Sequence, residues 1–136
     1  MFEQFSLRHI PAVIDSTAST MTLGGIWPML NPSGAMREFG FPSRIANAPA
    51  AAPVMVTGQV RTTAIGLLVS IFYCQGRLDV VDTVMAVTGA YAGLVDSYVV
   101  WREGGGPPMA LFRLVSSGLI AAWGFAGLTE AAADGW

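Results

Sequence analysis

Few residues of this chain could do chemistry. Five ionisable side chains, Asp15, Arg61, Asp82, Asp96 and Arg113, fall inside stretches that are otherwise apolar enough for lipid. An ionisable group in hydrocarbon costs on the order of 3 kcal/mol by insertion scales, so such groups face a partner or a wet cavity. Carboxylic acids placed this way can give and take protons, and an arginine can hold the anion. No metal or cofactor is needed for that, and none is expected. With one histidine, His9, one cysteine, Cys74, and no HExxH or CxxC spacing, the usual zinc ligand sets and an internal disulfide are excluded.

Spacing suggests which charges meet. A helix rises about 1.5 Å per residue, so depth can be counted from the connecting loops. Taking the midpoint of the third loop between Gly104 and Gly105, Asp96 and Arg113 lie at equal depth on antiparallel helices and should pair. Arg61 starts from the same membrane face and is expected in the same layer, with Gln59 and Tyr98 beside it to hold a substrate. On the opposite side Asp15 and Asp82 also match in depth, at roughly 7 Å from their helix starts. Two carboxylates together in a poor dielectric do not both ionise easily, so one would keep its proton and act as donor. If the first helix begins a turn earlier, near Phe5, Asp15 approaches the arginine layer instead. The competing readings are a buried ion-pair clamp that only fixes helix register, and acids at helix ends solvated by headgroups.

The elements that would position these residues are helices. The 136 residues suit one domain; 53% are apolar and only 12% charged, against roughly 25% in soluble domains. All seven cations are arginine, the net charge is −2 and no basic stripe exists, so nucleic acid is not a partner. Crossing the hydrocarbon takes about 20 apolar residues as helix. Four stretches qualify, at residues 10–30, 53–73, 78–101 and 109–128, which predicts an all-α, integral membrane four-helix bundle. Asn31-Pro32 stops the first, Pro53 opens the second, and Gly104-Gly105-Gly106-Pro107-Pro108 separates the third from the fourth. Asp15 spoils the apolar middle a signal peptide would need. A soluble bundle would show a charged outer face, and residues 65–73 and 84–95 carry no charge at all.

Small residues recur where helices could touch, at Gly24-Gly25, Gly58, Gly66, Gly89 with Gly93, Gly118, Gly124 and Gly127. Packing within one bundle is preferred over a dimer motif, although a homo-oligomer stays open. Trp27, Tyr73, Tyr98, Trp101 and Trp136 read as interface anchors. The arginine bias between the two faces is too small to set orientation.

The segment from Asn31 to Pro42, NPSGAMREFGFP, resembles the first loop of a family of small four-helix membrane proteins, frequent in fungi, known as domain of unknown function 4267. Gly58-Gln59-Val60-Arg61 with Ile65-Gly66-Leu67 resembles that family's second-helix arginine and glycine, and Val95-Asp96-Ser97-Tyr98-Val99-Val100 with Gly104 its third-helix aspartate segment. The likeness spans roughly residues 20 to 130. It implies a membrane location and singles out Arg61 and Asp96, but supplies no reaction. The family often has an acid directly after the helix-two arginine, where this chain has Thr62, and Arg113 has no counterpart to carry over.

These residues lead to an expected function: a cofactor-free membrane enzyme of polyketide or terpenoid biosynthesis that opens epoxides by hydrolysis or cyclisation. Small fungal membrane proteins of similar size that do so are the analogy. Asp96, oriented by Arg61 and Arg113, would be the base, Asp15 the opposing acid, and Asp82 its substitute. Expected partners are a lipophilic substrate and membrane lipid, and the expected location is an internal membrane such as the endoplasmic reticulum. The alternative is a non-catalytic packing or assembly protein that tethers pathway enzymes. A transporter is disfavoured because no inverted repeat or paired Gly-Pro helix break is present.

Overall fold

A computed structural model describes residues 12–134, and all regular structure among them is helical. The elements are α1 (Ala12–Leu30), α2 (Pro32–Phe39), α3 (Ser43–Ala46), α4 (Ala51–Cys74), α5 (Leu78–Arg102), α6 (Pro107–Phe125) and α7 (Leu128–Asp134). Proline and asparagine divide α1 from α2. Asn31 ends the first helix and caps the second, accepting a 2.9 Å hydrogen bond from the Gly34 N–H, with Pro32 at the first helical position. Gly40, at φ 113°, closes α2 in the left-handed conformation that glycine adopts without strain.

Three helices, α4, α5 and α6, are long and apolar enough to cross a membrane, as in a multi-pass membrane protein. The four-span expectation is therefore met at three places. In α1, Asp15 and the hydroxyls of Ser16, Thr17, Ser19, Thr20 and Thr22 dilute the apolar content. The fourth expected stretch also ends early: α6 stops at Phe125, the chain turns at Gly127 with φ 64°, and Leu128 opens the separate α7. His9, Trp136 and the start of the first expected stretch lie outside the described residues.

The long helices pack as two close pairs, α1 with α4 and α5 with α6. Glycine makes each seam. A methyl at Gly66 would come within 2.7 Å of the Thr22 backbone nitrogen and 2.9 Å of the Ala18 carbonyl oxygen. One at Gly25 would come within 2.6 Å of the Gln59 carbonyl oxygen, and the Thr63 hydroxyl crosses the same seam to the Thr22 carbonyl at 3.0 Å. In the second pair, Gly89 faces the Ala121 nitrogen and Ser117 carbonyl oxygen, 2.7 Å each from an added methyl, while Gly124 faces Ala86. Such backbone approach is what small residues provide in lipid, where no hydrophobic force drives helices together. Gly24, Gly58 and Gly118 meet nothing and are not seam residues.

The pairs join near the α7 end, where Ile14 and Ala18 of α1, Val69 and Tyr73 of α4, and Leu78, Val81 and Met85 of α5 form a buried cluster. Tyr73 thus belongs to the core rather than to an interface belt. Toward the other end the pairs separate. There α2 runs from the end of α1 across to the α5–α6 connection, where Gly40 meets Val100 and Gly105. An exposed ion pair, Arg44 to Glu103 at 2.6 Å, ties α3 to that connection.

Candidate functional site

A cavity of about 730 Å³ lies between the two helix pairs, and all four long helices and α2 contribute to its wall. Its floor is apolar: Val69, Met85 and Ile120 rise from the core. Above them come the polar groups, Gln59 and Thr62 of α4, Thr88 and Asp96 of α5, Arg113 and Ser117 of α6. Ala35, Glu38 and Phe39 of α2 form the roof.

Asp96 and Arg113 reach the same cavity because each sits six residues from its own end of the α5–α6 connection, counted from Arg102 and Pro107. Their charges attract across this wall. They do not form a close ion pair. Arg113 is turned toward the roof instead: its Nε donates to the Phe39 carbonyl oxygen, and its guanidinium carbon stands 3.5 Å from the centre of the Phe39 ring. Stacking on a ring face suits the planar guanidinium and holds it in one orientation. Among the described residues, no group donates a hydrogen bond to the half-buried Asp96 carboxylate.

The remaining expected site residues lie elsewhere. Arg61 is exposed on the far side of α4, where its Nη1 donates to the Thr57 carbonyl at 3.0 Å one turn nearer the α2 end. It is not in the layer expected for it, because the turn of α4 that presents Gln59 and Thr62 to the cavity points Arg61 outward. Asp15 is exposed beside Ser70 and Cys74, in a shallow pocket at the other end of the molecule. Asp82 does not pair with it. Only 5% exposed, Asp82 caps α7, its two carboxylate oxygens accepting the Thr129 and Glu130 backbone N–H groups at 3.0 Å each. Tyr98 is exposed and leans on Trp101, with ring centres 6.4 Å apart, outside the cavity. Gln59 lines the cavity.

Two residues that sequence reasoning left without a role belong to the site. Glu38 brings a second carboxylate to the cavity, and Phe39 fixes the arginine. Both stand in the NPSGAMREFGFP segment. Its length and charge within an apolar chain were a signal that this loop does more than connect.

Three helices long and apolar enough to cross a membrane, around a largely apolar cavity with a few polar groups, define an all-helical, multi-pass membrane protein. The chain belongs to the family whose model is described as "Domain of unknown function (DUF4267)", which matches residues 18–127 and so takes in the roof, both seams and the Asp96–Arg113 layer. No curated protein and no solved structure matches the chain.

Proposed function

We propose that this protein is a cofactor-free membrane enzyme that opens an epoxide on an apolar natural-product intermediate of the polyketide or terpenoid kind, by hydrolysis or cyclisation. The observation that carries the reading is the Asp96 carboxylate, without a hydrogen-bond donor among the described residues, facing a lipid-depth chamber beside an arginine held by another partner. A clamp that served packing alone would close Asp96 directly onto Arg113, since an unpaired buried carboxylate destabilises a fold.

The chemistry follows from the residues. Arg113 spends its Nε on Phe39 and keeps its Nη groups to hold the epoxide oxygen. Asp96 takes a proton from a water, or from a hydroxyl of the substrate, as that oxygen bonds to the epoxide carbon. The carbon–oxygen bond breaks with its electron pair going to the epoxide oxygen, which receives a proton from the Glu38 carboxyl. Return of the proton from Asp96 to Glu38 through water resets the site. The opposing acid is thus Glu38, in place of Asp15.

In this reading α1 is the fourth helix of a membrane bundle and the endoplasmic reticulum is the expected compartment. Its hydroxyls are tolerable in lipid where they bond to their own helix, as Thr22 does to the Ala18 carbonyl at 2.7 Å.

The experiment is expression in a yeast without the pathway, with a polyene epoxide supplied and its products followed by mass spectrometry. Asp96→Asn is expected to lower turnover by about 10²–10⁴-fold, and Asp15→Asn to leave it unchanged. Wild-type turnover in Asp96→Asn removes the site. A folded wild type without turnover, with Asp96→Asn lowering only folded yield, points instead to an assembly protein.

A further inference from the structure

We infer that this chamber is loaded sideways from the bilayer, through an opening between α1 and α6, and that it takes an uncharged, oxygen-bearing lipophile rather than an anionic lipid. The inference rests on the chamber being a ligand site, as proposed above, and names the class of molecule and its route.

The route follows from which walls are closed. Seams at Gly25 and Gly66 close α1 against α4, those at Gly89 and Gly93 close α5 against α6, and the buried cluster closes α4 against α5 at the floor. The roof is α2. Between α1 and α6 nothing similar exists; the two helices scarcely touch. The exposure of the lining agrees. Apart from Glu38, every exposed residue of the cavity wall is on α1 or α6, and none is on α4 or α5. Leu23, 67% exposed, and Phe112, 66% exposed, stand on the two sides of the gap, with Thr20 and Trp27 along the α1 rim. Leu23 lies seven residues before the end of α1 and Phe112 five after the start of α6. At about 1.5 Å per residue both rims sit roughly 8–10 Å below the α2 end, at the height of hydrocarbon rather than water.

The ligand class follows from the charges inside. Among the described lining residues Arg113 is the one cation, and Asp96 offsets it. A carboxylate or phosphate coming through the gap would give up its water for a poor dielectric with no spare positive charge to meet it, which is strongly unfavourable. A hydroxyl, ether or carbonyl meets donors on Arg113 and acceptors on Asp96, with Thr88 and Gln59 beside them. A volume of about 730 Å³ is within the range of pockets that enclose drug-sized ligands.

The test uses the full chain in phosphatidylcholine nanodiscs, with oleyl alcohol carrying a photoreactive diazirine and, separately, oleic acid carrying the same group. After irradiation, peptide mapping reads the label. The alcohol is expected to label Met21 and Met85 in the cavity, and unlabelled oleyl alcohol should suppress that signal; labelling of the outward Val87 should not be suppressed. The acid should label only outer positions. Thr20→Trp with Leu23→Trp, both on the exposed rim, is expected to abolish the suppressible labelling while circular dichroism stays that of the wild type. Suppressible labelling by the acid, its persistence in the folded rim variant, or its absence from the wild type overturns the inference. Because binding is read without turnover, expected labelling with no epoxide opening leaves this inference standing and removes the reaction. Asp96-dependent turnover with no suppressible labelling does the reverse.

Discussion

The Arg113 guanidinium lies on the Phe39 ring, 3.5 Å from its centre, while its Nε donates to the carbonyl oxygen of the same residue. One residue of a short loop helix thereby aims the cation of the site. Two consequences can be measured. Phe39→Ala removes the stacking surface and should destabilise the fold by about 1–2 kcal/mol, since a desolvated cation–π contact is worth that much. Arg113→Lys should not restore turnover, because an ammonium cannot stack and bond in the plane at once. Thermal unfolding in detergent and the epoxide assay read the two.

Asp82 gives a different expectation from the one its sequence position suggested. It holds two backbone N–H groups of α7, so Asp82→Ala should leave them uncapped and cost about 1–3 kcal/mol. Amide exchange at Thr129 and Glu130 should accelerate. Turnover per folded molecule should be unchanged, as Asp82 does not line the chamber.

The seams predict a contrast among glycines. Gly66→Ala and Gly89→Ala drive a methyl into backbone atoms of the facing helix and are expected to lower the melting temperature sharply. Gly58→Ala and Gly118→Ala meet open space and should stabilise their helices by about 0.5–1 kcal/mol. Equal behaviour of the two sets would mean the pairs do not pack as described.

Arg61 stands exposed in the middle of α4, eleven residues from its start and fourteen from its end, counting both ends. Its bond to the Thr57 carbonyl draws the charge toward the nearer membrane face. Arg61→Leu is expected to ease insertion of α4 by about 3 kcal/mol and to leave the epoxide assay unchanged. An insertion assay with glycosylation tags reads the first effect.

These residues show what a sequence can and cannot say here. Depth was legible: equal spacing from Gly104-Gly105 put Asp96 and Arg113 at one height, and both line one cavity. Proline and glycine marked the helix ends to within a few residues. Rotation about the helix axis was not legible. In a soluble bundle an apolar stripe tells which face turns inward, but α4 and α5 are apolar all round, so nothing in the pattern separated Arg61 from Gln59. Asp82 was misplaced for another reason. Its partners are backbone groups of α7, seven residues long, which begins only where the apolar run 109–128 ends and gives too short a pattern to read. The role of α2 escaped as well, because a loop's contacts depend on where distant elements end.

The glycine seams lie inside each helix pair, whereas the chamber lies between the pairs. On α1 and α4 the positions that hold the scaffold and those that shape the chamber are therefore largely separate sets, whereas Gly89, Gly93 and Ser117 do both between α5 and α6. Met55 and Thr62 of α4 can change size without disturbing the contact at Gly66. The α4 wall of the chamber is thereby free to change shape while the helices continue to assemble in the same way.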